Sequence, residues 1–376
     1  MVIVDTGGDA LTTTYHGGRI YEFADRHSVA WSQVEDFSAN INPLGPPESV
    51  MQTLIQSLQQ IRHYPDHRHT MVKKVLAQRF SVAEEQILCG NGATEVIDLW
   101  LEALRPTRLA ILTPAFQGYE SAAHRWGIPL LKLPMMQGDA LEFPVPSMLA
   151  KLRPGDGLIV NNPHNPTGFA IRAKELSAMI DQLEDRQVHV MVDESFIDFL
   201  HDQEEWSVLK RTHESRYLYV LRSATKMYAI PGLRFGFAVG NPEVLARVEK
   251  KRDGWSVNQL AQLAAATAYQ DREYDQLTWT WLEEEKRWLR QTWGNQASIH
   301  LYTPSANFFL VRFPSADKAL ELSKHLAESR VYLRGMDGFF PLDDRFVRVA
   351  IRTRDKNESL WQWATDFLAL NFLQKD

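Results

Sequence analysis

The 376-residue sequence predicts an open α/β fold followed by a smaller α+β unit. Three features point to it: short apolar runs rich in β-branched residues, longer helical stretches between them, and polar residues gathered where the runs end. The runs are RLAILTP (108–114), GLIVNNP (157–163), VHVMVDES (188–195) and YLYVLRS (217–223). Each is apolar without alternation, the pattern of parallel strands buried on both faces. Stretches such as IRAKELSAMIDQLEDRQ (171–187) supply the helical crossovers. After residue 255 the pattern changes to long helices, SVNQLAQLAAATAYQD (256–271) and YDQLTWTWLEEEKRWLRQTW (274–293). The strands ANFFLVRF (306–313) and RFVRVAIRT (345–353) then flank the helix SADKALELSKHLAES (315–329), which reads as a separate small α+β unit. The expected division is an arm over 1–40 associated with the small domain, a large domain over 41–260 and the small domain over 261–376.

Composition narrows the function. Hydrophobic residues make up 44% and charged residues 23%, with a formal net charge of -6, as in ordinary globular chains. The basic residues form no tract, so nucleic acid is not an expected partner. No apolar run approaches the roughly 20 residues that span a bilayer, and no secretory leader pattern opens the chain, so a cytoplasmic location is expected. Cys89, the single cysteine, excludes an internal disulfide and a cysteine-based zinc site and is expected to be a buried thiol. No metal is expected.

Open α/β sheets bind ligands beyond the carboxyl ends of their strands. There the sequence places Thr113, Pro114 and Phe116; Asn161, Asn162 and then PHNPTG; Asp193 and Glu194; and Arg222, Ser223 and Lys226. A fifth element, CGNGATEVIDLWLEAL (89–104), is a glycine turn leading into an amphipathic helix, whose first amides at Ala93 and Thr94 suit an anion. A phosphate cradle, an acid, an asparagine and a lysine together match the phosphate, ring nitrogen, phenolic oxygen and aldehyde of pyridoxal 5'-phosphate.

The motifs GNGATE, NNPHNPTG, DESFIDF and SATKMYAIPGLRFG, in that order, resemble the fold-type I aminotransferase superfamily over essentially the whole chain. The resemblance implies a large domain with a mostly parallel seven-stranded sheet, a smaller C-terminal domain, and a homodimer with shared active sites. It makes Lys226 the residue that condenses with the cofactor aldehyde, Asp193 the partner of the pyridine nitrogen and Asn165 the donor to the phenolic oxygen. Ser223, Arg234 and the amides of Ala93 and Thr94 correspond to phosphate ligands, and Phe116 to the aromatic stacked on the ring. Tyr64 corresponds to a tyrosine that reaches the partner chain's cofactor, and Arg348 to the arginine that grips the substrate carboxylate.

Within the superfamily the chain is similar to two groups with phosphorylated amino substrates, the threonine-phosphate decarboxylases of cobalamin biosynthesis and the histidinol-phosphate aminotransferases. YHGGRIYEFA, EDFSANINPLGPP, DESFIDF and GWSVNQLAQLAA resemble the decarboxylases. Phe196 stands where the aminotransferases usually carry tyrosine, and Arg19 where the decarboxylases commonly carry asparagine. Arg334 corresponds to a substrate-phosphate ligand, Arg352, on the same strand face as Arg348, is a second candidate for that cationic pocket, His16 is expected to add a donor to it from the partner chain, and Asn40 and Asn42 are expected to line the substrate entrance. Three functions stay open: decarboxylation of threonine phosphate or of serine phosphate, transamination of a histidinol-phosphate-like amine, and a cofactor-binding module without turnover.

Overall fold

Successive side chains of a strand point to opposite faces, so an unbroken apolar run needs cover on both. The computed structural model describes residues 18–336 and 338–372. Six such runs and one half-exposed edge strand, β3, form its large sheet: β1 (Ile87–Gly90), β2 (Leu109–Thr113), β3 (Leu130–Pro134), β4 (Gly157–Asn161), β5 (His189–Asp193), β6 (Leu218–Ser223) and β7 (Gly236–Gly240). Their order is β1-β7-β6-β5-β4-β2-β3. Only the two pairings made by β7 are antiparallel, so the sheet is mostly parallel, as expected.

Leu88, Ile111, Ile159, Met191, Leu221 and Ala238 turn to one face and belong to one apolar cluster with residues of the helices Ala93–Leu104, Gln117–Arg125 and Pro242–Glu249. Their strand neighbours Cys89, Leu112, Val160, Val192, Val220 and Phe237 join the other cluster, with residues of the helices Thr70–Phe80, Ala173–Glu184 and Gln259–Ala268. Cys89 is fully buried there, and burial pushes its thiol up to about 12.

The C-terminal unit is an antiparallel sheet of β8 (His300–Tyr302), β9 (Phe308–Arg312), β10 (Arg334–Gly335) and β11 (Phe346–Ala350), in the order β8-β9-β11-β10. The helix Ala316–Glu328 packs on it and against the helix Arg354–Phe372. Glu35–Asp36 pairs in parallel with Val331–Tyr332, which ties this short segment to the unit. The following residues cross to the large sheet. The Asn42 amide N–H donates to Lys226 O at 3.1 Å, and its Nδ2 donates to Met227 O and Thr278 Oγ1 at 2.9 Å each. Among the described residues no helix is long and apolar enough to cross a membrane, and no group of His, Cys, Asp and Glu is arranged to hold a metal ion.

Candidate active site

The parallel strands present their carboxyl ends along one edge of the large sheet. Asn161 on β4 lies opposite Asp193 on β5. The antiparallel β7 starts at the same edge, with Gly236 opposite Ser223 on one side and Gly90 on the other. A cavity of about 500 Å³ opens here, lined by Ala93, Thr94, Phe116, Asn165, Asp193, Ser223, Lys226, Arg234, Arg348 and Asn40, among others. Residues expected from seven separate stretches of sequence therefore meet in one place.

Lys226 sits in the short helical turn Ala224–Met227 at the end of β6. Ser223 caps the turn, accepting from the Thr225 N–H and pairing with the Thr225 hydroxyl at 2.8 Å. Burial first, then the charges of Arg348 and Arg234, push the Lys226 amine down to about 8. A lysine so shifted has a substantial neutral fraction near pH 8, the form that attacks an aldehyde.

Asp193 ends β5, 5% exposed. Burial raises its proton affinity, while hydrogen bonds from Ser195 and Tyr119 and the charge of Lys226 oppose the rise. Behind it Arg222, 1% exposed, pairs with Glu194 at 2.8 Å and Asp198 at 2.6 Å, locking the ends of β5 and β6 together.

Asn165 is placed from both sides. Its amide N–H donates to Asn161 Oδ1 at 2.8 Å, and its Oδ1 accepts from Arg348 Nη1 at 2.6 Å. Arginine has no acceptor, so the oxygen must face it and Nδ2 is left as a donor. Arg348, on β11, also donates to Ser38 O at 2.6 Å, while its Nε is buried without a partner among the described residues. Burial, then the charge of Arg334, pushes it down to about 9.

The phosphate end is a backbone cradle. The helix Ala93–Leu104 has no side-chain cap, and its N-cap, Gly92, has φ +82°. A Cβ on Gly92 would come within 2.5 Å of Arg234 Nη2, so only glycine lets the guanidinium lie over the turn. Uncapped first-turn amides with a guanidinium above them suit a phosphate. Phe116 lies across the cavity, its ring 5.3 Å from that of Tyr119 and nearly perpendicular to it. Cradle, carboxylate, amide donor, aromatic wall and shifted lysine fit pyridoxal 5'-phosphate.

Four other expected residues are not among those lining this cavity. Tyr64 is 79% exposed and stacked on Trp255 with ring centroids 4.7 Å apart. Asn42 spends its side chain on Met227, Thr278 and the Leu44 N–H, which makes it an anchor of the lysine turn. Arg352 is held by Ile41 O at 3.4 Å, and its amide N–H donates to Asn357 Oδ1. Arg334, 5% exposed, faces Arg348 across the β10–β11 pairing with its guanidinium 5.6 Å from the Phe339 ring. His16 lies outside the described residues. The sequence reading missed Tyr119, Ser195 and Asn161 as supports of Asp193 and Asn165. The DxS spacing of Asp193 and Ser195 was a legible turn signal, whereas Tyr119 had none.

Comparison with known proteins agrees with this geometry. Threonine-phosphate decarboxylase of Salmonella typhimurium is 36% identical over 93% of this chain and 96% of its own. The crystal structure of L-threonine-O-3-phosphate decarboxylase from Porphyromonas gingivalis superimposes with a TM-score of 0.77 at 25% identity, covering 89% of this chain and 98% of that one. Histidinol-phosphate aminotransferase from Clostridium acetobutylicum superimposes with a TM-score of 0.82 at 27% identity, with coverages of 89% and 98%. The model of the family described as aminotransferase class I and II matches residues 32–362, and the chain belongs to that family.

Proposed function

We propose that this chain is a pyridoxal-phosphate-dependent carboxy-lyase that converts L-threonine O-3-phosphate to (R)-1-amino-2-propanol O-2-phosphate, the linker of the cobalamin nucleotide loop. The observation that carries the reading is the pair Arg348 and Arg334, directly opposite one another on β11 and β10 and each 5% exposed, of which Arg348 lines the cavity of Lys226 and Asp193. Two cations buried side by side suit a substrate with two anionic ends, a carboxylate and a phosphate. The likeness to the Salmonella decarboxylase supports the same substrate.

Bound in the cavity, the cofactor supplies an electron sink for the pair left on the substrate Cα. Asp193 holds a proton at the ring nitrogen, and Asn165 Nδ2 donates to the phenolic oxygen. Arg348 grips the carboxylate while Arg334 holds the phosphate, and anchoring both ends fixes the rotation about Cα that decides which bond breaks. Asn40 adds a polar group at this end, its Oδ1 buried with no partner among the described residues. Lys226 Nζ, with its affinity near neutral pH, returns a proton to Cα.

The protein acts in the cytoplasm as a homodimer in this reading. Tyr64 and Trp255, stacked on one another, are both more than half exposed, an apolar surface that suits a second copy and would carry Tyr64 to the partner's cofactor. A second reading, aminotransferase on histidinol phosphate, is favoured by the TM-score of 0.82 with the Clostridium enzyme.

The test mixes cofactor-loaded protein with L-threonine O-3-phosphate and no keto acid, following carbon dioxide and the cofactor spectrum. Sustained carbon dioxide with the visible band retained is the expected result. No carbon dioxide, with conversion to the pyridoxamine form on histidinol phosphate, makes the chain an aminotransferase. L-Serine O-phosphate lacks one methyl group, so a preference of about 10- to 200-fold for threonine phosphate is expected.

A further inference from the structure

Asp193 is approached by more donors than its pairing with a ring nitrogen requires. Oδ1 accepts from the Ser195 amide at 2.9 Å and from its hydroxyl at 2.6 Å, and Oδ2 accepts from the Tyr119 hydroxyl at 2.5 Å. An ionised carboxylate offers about four lone-pair positions. With three taken, a single acceptor position remains, on Oδ2, and Asp193 lines the cavity.

Tyr119 is built for this contact. It lies in the first turn of the helix Gln117–Arg125, 3% exposed, three residues after Phe116, the helix N-cap. Phe116 packs edge-on against it, so one short segment carries both the wall of the cavity and a support of the carboxylate behind it. Gly118 permits the arrangement, because a Cβ there would come within 2.3 Å of the Phe116 ring. Burial, then the charge of Asp193, holds the Tyr119 phenol well above its usual value, so it stays protonated and acts only as a donor.

Resting on the pyridoxal-phosphate reading, we propose that Tyr119 is a positioning residue for the cofactor's ring nitrogen: by occupying one lone pair of Asp193 Oδ2 it keeps the carboxylate ionised and leaves it one acceptor for that nitrogen. A buried carboxylate gains proton affinity, and each donor taken from it adds to that gain. The proton shared with the ring nitrogen then shifts toward oxygen. The ring becomes less electron-poor and is held less tightly.

The experiment is Tyr119→Phe in the full-length protein, which keeps the ring that packs on Phe116 and removes only the hydroxyl. Cofactor dissociation is measured by dialysis and the visible band by titration with pH. Cofactor affinity is expected to fall about 10-fold or more, the loss of one hydrogen bond to a charged group. The pH at which the band changes is expected to rise, because a ring that withdraws fewer electrons makes the nitrogen of Lys226 more basic. The other groups that set this titration, Lys226, Arg234, Arg348 and Asp193, stay in place. Ser195→Ala, which removes a donor from Oδ1 and keeps the backbone one, is expected to move the band in the same direction. It also decides the matter if Tyr119→Phe does not fold. Parent-like affinity and band titration in folded Tyr119→Phe, or in Ser195→Ala if that variant alone folds, overturn the proposal. Failure of the parent protein to bind the cofactor and develop a band overturns the pyridoxal-phosphate reading first, and this inference with it.

Discussion

The two ends of the cavity are built in different ways. At the cofactor end, Asp193, Asn161 and Ser223 are the last residues of β5, β4 and β6, and β7 begins opposite Ser223. Their supports include sheet hydrogen bonds, the buried pair of Arg222 with Glu194, and side-chain donors such as Tyr119 and Ser195 on Asp193. At the substrate end, Arg348 comes from the small sheet and is held by Ser38 O on a crossing segment, with Asn40 on the same segment. A rigid sheet edge sets the reactive atoms, and a surface assembled from two units sets what reaches them. Changes at the first end should abolish chemistry, and changes at the second should alter substrate preference.

Three substitutions break or sharpen that contrast. Lys226→Ala is expected to lower carbon dioxide release by at least about 10³-fold and to remove the visible band, because no other described residue lining the cavity supplies an amine. Arg348→Lys is expected to lower kcat/KM by about 100-fold, since a lysine cannot make two parallel bonds to a carboxylate. The band should survive, and its loss would show that the two ends are not separable. Arg334→Gln should raise KM for the phosphorylated substrate about 10-fold with kcat nearly kept, as expected for a contact made equally in ground and transition states.

The smallest effects are on pH dependence. Only the neutral Lys226 amine attacks an aldehyde, so cofactor uptake by the cofactor-free protein should quicken as pH rises through about 8 and level off above it. Stopped-flow absorbance reads this directly, and a midpoint near 10.5, the ordinary lysine value, would mean the cavity does not shift the amine. For stability, burial as the leading cause pushes His69, His164 and His189 down to about 4. The unfolded chain takes up protons near 6.5, above the folded value, so stability is full above that pH and lost as pH falls from 6.5 toward 4. Thermal melts across that window should show the decline, and a shallower one in His164→Gln.

Much of the site was legible in the sequence because its residues follow strands. A run such as VHVMV announces a buried strand, and the polar residue that ends it, Asp193, must lie at the sheet edge. Lys226 and Ser223 follow YLYVL for the same reason. Tyr119 was not legible, since a tyrosine in a helix reads as core until the helix is placed against Asp193. Asn42 read as an entrance residue and proved to anchor Met227, because its partners lie 185 and 236 residues away in sequence.

The sequence by itself determined the α/β order of elements, the strand ends and the identity of the groups offered there, because periodicity and turn chemistry act over a few neighbouring residues. Only the tertiary structure decided how those groups are aimed. The facing of Arg334 and Arg348 depends on the register of β10 and β11, the donor nitrogen that Asn165 keeps available on Arg348 taking its oxygen, and the single free position of Asp193 on Tyr119 and Ser195. These are contacts between residues far apart in the chain, and only packing brings their donors and acceptors within hydrogen-bonding distance.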